Sequence, residues 1–310
     1  MKLYNILSLF GLMLFSVSCS KDSDGELNED YSEKVGESNG FVCYYNRYMN
    51  MPQSGNDSQA AACYGDLMVQ AYGGNSKFVV YDLASKKHVA TIPVTEPEPN
   101  SKTHCNSICF GNQRVNATDQ MPVLYVSSGY KTSGLAHIYA YRIAENNGQF
   151  SAELVQDISL KGFGTWTEGL CDIDGNYLWI RHNGGSQKFS LPDIDHKEVT
   201  IDLKDQLESL SYKNVIAPEF SFGDWQAQMF HNDRINFVSG VPSRKQNLTF
   251  ASINTQTKEM DILIDLAEIG MIPENKTTSN QYEPEGIFFY KGKCMICFHR
   301  FLYQLNYGAF

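Results

Sequence analysis

Five polar residues stand at matched places in this chain. Gln59, Asn106, Glu168, Gln226 and Glu285 each lie six residues before a turn, at Gly65, Asn112, Asp174, Asn232 and Lys291. All five are carboxamides or carboxylates, and each opens a short apolar stretch. A ring of such groups would hold a donor-rich ligand, a cluster of waters, or a hard cation such as calcium, which takes oxygen ligands. Two carboxylates among five are few for tight cation binding. Side-chain oxygens at strand starts also cap loops or tie neighbouring elements together, and in a repeat protein such a tie would recur in every unit. Residues just ahead of the column join the same rim: Asp57, His104, Trp166, Asp224, Trp225 and Glu283. Trp166 and Trp225 beside carboxylates would make a platform for a sugar, or pack between units. His104 beside a carboxamide could move a proton, or simply hydrogen-bond within a loop. His182, His231 and His299 are scattered, with no metal-ligand spacing. No nucleophile elbow, Walker loop or dinucleotide fingerprint occurs, and no organic cofactor is expected.

The elements that must carry the column repeat with it. Each turn leads to a second apolar strand, at 67–70, 124–127, 177–180, 235–238 and 294–297. A third strand follows every time, and a fourth in four units, at 88–94, 152–160, 198–203 and 260–266. Four short strands recurring every ~45–60 residues mark a β-propeller, because one small twisted sheet cannot bury both faces alone and must stack radially on its neighbours. The expected fold is all-β with five blades, or six if a degenerate unit lies near 204–221. The fifth unit reaches Phe310 without a fourth strand. An open sheet edge there would leave backbone groups unpaired. Residues 40–46, β-prone and without a unit of their own, are expected to close the ring. Residues 205–211 read as a short helix, and 113–120 and 273–281 as loops.

The first residues read as an export signal at 1–18. A short basic start at Met1 and Lys2 precedes an apolar run at 6–17, too short for a comfortable membrane span. Small residues Ser16, Val17 and Ser18 stand before Cys19, the pattern of a lipidated cysteine. Residues 19–39 are polar and acidic and read as a tether. The propeller domain is expected at 40–310.

A formal net charge of −10 disfavours nucleic acid, whose binding needs a basic surface. There are eight cysteines. If Cys19 carries lipid, an odd number remains. Cys294 and Cys297 sit three apart on a strand, which points them to opposite faces. Structural thiols are therefore expected rather than a metal knuckle.

Two resemblances follow from these residues. Glu168-Gly169-Leu170 and Glu285-Gly286-Ile287 resemble the blade-opening Glu-Gly-Leu of plant/bacterial-type glutaminyl cyclases. That resemblance implies a five-bladed propeller and Glu168 or Glu285 as a catalytic general acid/base. The phrases at 104–107 and 122–127, with the acidic stretch after Cys19, resemble Bacteroidota-type propeller lipoproteins. That likeness implies a cell-envelope, outer-membrane and surface location but no activity. The expected function is non-catalytic binding of a glycan, a peptide or another envelope protein at one mouth of the channel. The protein is expected to be a monomer that meets the membrane only through its lipid. The alternatives are a glutaminyl-cyclase-like enzyme and a glycoside hydrolase, the latter needing two carboxyl groups roughly 5–9.5 Å apart.

Overall fold

The computed structural model describes residues 31–52, 58–72, 77–94, 105, 107–128, 136–163, 171–182, 184–212 and 222–309. Cys19 and the expected signal segment lie outside the described residues. The described chain forms five sheets. Blade 1 is β3 (Ser58–Tyr64), β4 (Leu67–Tyr72), β5 (Lys77–Asp82) and β6 (Lys87–Pro93). Blade 2 is β7 (Ile108–Phe110), β8 (Leu124–Ser128), β9 (Ala136–Asn146) and β10 (Gln149–Lys161), with β14 (Glu198–Asp202) added outside β10. Blade 3 is β11 (Cys171–Asp174), β12 (Tyr177–His182), β13 (Gly185–Ser190) and β15 (Glu208–Ser211). Blade 4 is β16 (Trp225–His231), β17 (Arg234–Ser239), β18 (Thr249–Asn254) and β19 (Met260–Asp265). Blade 5 is β20 (Pro284–Tyr290), β21 (Lys293–Phe298) and β22 (Phe301–Ala309), completed by β2 (Phe41–Asn50) and β1 (Lys34–Ser38).

The innermost strands touch in the cyclic order β3, β7, β11, β16, β20 and back to β3. This is a closed five-bladed propeller. Its core is divided among five inter-blade layers, so most second strands are buried on both faces: β4, LMVQAY, is buried along nearly its whole length. Val69, Phe78, Leu124 and Tyr141 fill the layer between blades 1 and 2. Tyr125, Ile138, Leu178 and Phe189 fill the next. Trp179, Trp225, Phe237 and Ile253 fill the third, and Phe250, Ile264, Ile296 and Phe298 the fourth. Met68, Tyr81, Phe288 and Leu302 close the circle between blades 5 and 1. Cys294 faces the fourth layer and Cys297 the fifth, which puts them on opposite faces of β21. The six described cysteines outside β11 are free thiols.

The N-terminal segment closes blade 5. β2 runs antiparallel to β22, from Phe41 opposite Ala309 to Asn50 opposite Phe301. It is longer than the expected 40–46, and β1 pairs with its outer edge. β1 thus takes up 34–38, part of the stretch expected as tether, because the free edge of β2 accepts another strand. Gly36 makes this fit: a Cβ there would stand 2.3 Å from the Ile269 carbonyl oxygen.

Blade 3 departs from expectation. Residues 198–203 were expected as its fourth strand. Instead β14 crosses to blade 2 and pairs in parallel with β10, and β15 takes its place beside β13. The 13-residue β10 pairs with β9 on one side and offers a long edge on the other. The crossing loop is tied down by Gln156, whose Nε2 donates at 2.7 Å to both Asp193 O and His196 O. Residues 205–211 are therefore not a helix. A 3-10 turn, Leu203–Asp205, precedes β15. Nor do the described residues of 204–212 form a sixth blade; 213–221 lie outside the described residues.

Candidate functional site

Three column residues are described, and all three occupy the same backbone feature. In β3 the pairing jumps from Ser58 opposite Tyr72 to Ala60 opposite Ala71, leaving Gln59 as the extra residue. Gln226 is skipped in the same way in β16, and Glu285 in β20. A bulge of this kind bends the strand and re-aims one side chain. The innermost strands of blades 4, 5 and 1 thus each turn a polar side chain out of register at the same end. Asn106 and Glu168 lie outside the described residues, as do Asp57, His104 and Trp166.

Glu285 is 3 % exposed, and its Oε2 has no hydrogen-bond partner among the described residues. Burial first, then the charge of Glu283, pushes its carboxyl well above the usual carboxylate range. Glu283, two residues earlier and on the same rim, accepts a 2.8 Å hydrogen bond at Oε1 from Gln226 Nε2. That bond ties blade 4 to blade 5, which is the structural role a column residue could have. Gln59 keeps a weak 3.4 Å contact from Nε2 to the Ser58 carbonyl, while its Oε1 is buried without a partner among the described residues. The column is therefore part tie and part unsatisfied acceptor.

His299 completes the cluster. It lies in the hairpin between β21 and β22 and is 3 % exposed. Its Nε2 is 3.6 Å from Glu285 Oε1 and 3.8 Å from Glu283 Oε2. Its Nδ1 is 3.1 Å from Ser58 Oγ, and Ser58 Oγ donates at 3.2 Å to the His299 carbonyl. Blades 1, 4 and 5 thus converge on one buried group of two carboxyls and an imidazole. His299, which has no metal-ligand spacing along the chain, joins the site here together with Ser58. The signal was in the hairpin: an antiparallel second strand returns to the end where the first began, so the residue just past β21 rejoins the rim of Glu285.

Trp225 and Asp224 stand apart from this cluster. Trp225 is 7 % exposed and stacks on Tyr212 at 4.8 Å and Phe237 at 3.6 Å, with the Arg181 guanidinium 4.3 Å above its ring. It packs between blades 3 and 4, and with its faces taken it is no platform for a sugar. Burial lowers the pKa of Arg181 to about 10. Asp224 is exposed and paired with Arg244. A second cleft of about 330 Å³ opens at the opposite, turn-bearing end between blades 4 and 5, among Phe41, His231, Arg234, Asp261, Phe289 and Tyr307. Its charges are already matched, with Arg234 Nη2 2.7 Å from Asp261 Oδ2.

No family model matches this sequence, and no curated protein matches it. Among solved structures, similar chains are found. Glutaminyl cyclase from Myxococcus xanthus superposes with a TM-score of 0.53 at 11 % identity, over 86 % of this chain and 97 % of that one. A PQQ-bound aldose sugar dehydrogenase from Streptomyces coelicolor gives 0.46 at 7 % identity, over 86 % and 98 %. The tail fiber of Staphylococcus aureus phage P68 gives 0.41 at 13 % identity, over 86 % of this chain and 52 % of that one. At these identities the first match speaks for the propeller fold alone.

Proposed function

We propose that this protein is a lipid-anchored, extracytoplasmic propeller that binds a glycan or peptide at the channel end occupied by Gln59, Gln226, Glu283, Glu285 and His299. One observation carries the reading: a carboxyl group that is 3 % exposed has an oxygen with no partner among the described residues. Buried acceptors are normally satisfied, and leaving one unmet costs roughly 1–3 kcal/mol. Gln59 Oε1 repeats the pattern on the next blade. Two such acceptors call for a ligand that brings donors, either sugar hydroxyls or a peptide amine. Calorimetric titration with oligosaccharides and with free-amine peptides tests this. Binding lost in Glu285→Gln supports it; equal binding in that variant refutes it.

A cyclase-like reaction is the second reading. It is favoured by a buried carboxyl whose affinity for its proton burial raises, the direction a general acid needs. Turnover of a peptide with N-terminal glutamine, abolished by Glu285→Gln, supports that reading. Absence of turnover at high enzyme concentration removes it.

A further inference from the structure

We infer that Glu283, Glu285 and His299 form a site for a first-row divalent transition metal ion, with zinc the fitting probe. The inference deepens the ligand reading and rests on it for location. It begins from the histidine tautomer. In the tautomer protonated at Nδ1, the Ser58 hydroxyl donates to the His299 carbonyl at 3.2 Å and its oxygen accepts from Nδ1–H at 3.1 Å. Nε2 then presents a lone pair, and it presents it to two carboxylates. The separations of 3.6 and 3.8 Å are too long for hydrogen bonds. Three potential ligand groups therefore face one another, with no Lys or Arg side chain paired to them among the described residues. Buried charges in proteins are paired or coordinate metals.

The distances suit an ion at the centre. One atom from each residue lies within 4.8 Å of the other two. Metal–ligand bonds of about 2.0–2.2 Å give tetrahedral edges of about 3.3–3.6 Å, which the two edges from His299, 3.6 and 3.8 Å, already approach. The surrounding groups are those that metal ligands need. Ser58 fixes the imidazole through Nδ1, and Gln226 holds Glu283 through Oε1, leaving Oε2 turned toward His299. Such outer partners orient ligands and set the tautomer. The unpartnered Oε2 of Glu285 lies on the same buried carboxyl and gives it a second acceptor.

The donor set also names the class of ion. One nitrogen and two carboxylates suit zinc, manganese or iron, whereas calcium and magnesium prefer all-oxygen shells. That class differs from the hard cation, such as calcium, that a ring of oxygen groups alone would suit. Three protein ligands leave a fourth position open, where a hydroxyl or amine of the bound ligand would sit.

The test uses purified full-length protein stripped with a chelator, then titrated with zinc against a chromogenic competitor. One equivalent should bind, and Glu285→Gln and His299→Gln should each weaken binding at least tenfold. Cobalt in place of zinc should give visible absorption bands that both variants lose, while circular dichroism shows that they remain folded. Uptake of no zinc, uptake unchanged in the two variants, or preference for calcium overturns the inference. Glycan and peptide binding is measured in parallel on the stripped and on the zinc-loaded protein. Ligand binding without zinc uptake overturns the metal site and leaves the ligand reading standing. Zinc uptake without glycan or peptide binding does the reverse.

Discussion

Glu285 Oε1 and His299 Nε2 lie 3.6 Å apart because one hairpin carries both. β20 leaves the channel end at Glu285, turns at Lys291 and Gly292, and β21 returns to the same end. Both turn residues have positive φ, 49° and 78°, the geometry that matches the twist of the paired strands. The sheet therefore imposes the meeting of acid and imidazole.

β1 braces the outer edge of the closing strand β2. In Gly36→Ala the new Cβ would meet the Ile269 carbonyl at 2.3 Å, and backbone cannot move aside cheaply. We expect a loss of about 1–3 kcal/mol, as for other overpacked sites. Amide exchange should accelerate first in β1 and β2. Unchanged exchange there would show that β1 does not brace the closing blade.

Acid sensitivity has a component from His231. This ring stacks on Phe289 with centroids 4.0 Å apart, and burial lowers its pKa below the ordinary 6.5. The unfolded chain therefore takes up the proton first as pH falls. Stability contributed by neutral His231 is present above pH 6.5 and declines below it, down to the depressed folded pKa. His231→Phe should flatten that part of the stability–pH curve measured by urea unfolding. A curve of unchanged slope between pH 6.5 and 5 would contradict the assignment.

A second component lies lower. Arg142 donates from Nε at 3.0 Å and from Nη2 at 2.6 Å to Asp119, whose side chain is 6 % exposed. This pair pins the long β7–β8 loop onto β9, and it holds the Asp119 carboxyl below its usual range. A depressed carboxyl stabilises above its unfolded pKa and loses that effect as pH falls through the folded value. Asp119→Asn should therefore remove stability at pH 7, by about 1–3 kcal/mol, and narrow its difference from the parent below pH 4. Thermal melts at pH 7 and pH 3 check this; equal deficits at both would contradict it.

Membrane association should depend on Cys19. In Cys19→Ala the protein should move from the membrane to the soluble fraction without change in its melting temperature. Retention in the membrane fraction would reject the lipid anchor.

Much of the fold was legible because the repeat is written in turn chemistry. Gly65, Asn232 and Lys291 stand where the hairpin needs positive φ, and the column residue stands six positions before each. Closure by residues 40–46 was legible because an unpaired edge demands a strand. The strand exchange was not. β14 and β15 are both short and β-prone, and which one joins blade 3 depends on the length of β10 and on Gln156 holding the loop, both tertiary facts. For the site, the column located Gln59, Gln226 and Glu285 but could not tell tie from acceptor, since that turns on whether a neighbouring blade supplies a partner. His299 was missed because its ligand-like spacing exists across a hairpin and not along the chain. Trp225 looked like a platform because sequence does not show that Tyr212 and Phe237 cover it.

The most direct measurement is a thermal-shift comparison of the parent protein and Glu285→Gln against zinc, calcium, oligosaccharides and glutamine-leading peptides. A ligand present at 100-fold its dissociation constant stabilises by about 2.7 kcal/mol, which for a domain of this size is a rise of roughly 5–10 °C. The account predicts such a rise for at least one of these in the parent and its loss in Glu285→Gln. A shift that survives the substitution, or no shift with any of them, would contradict a ligand site built around Glu285.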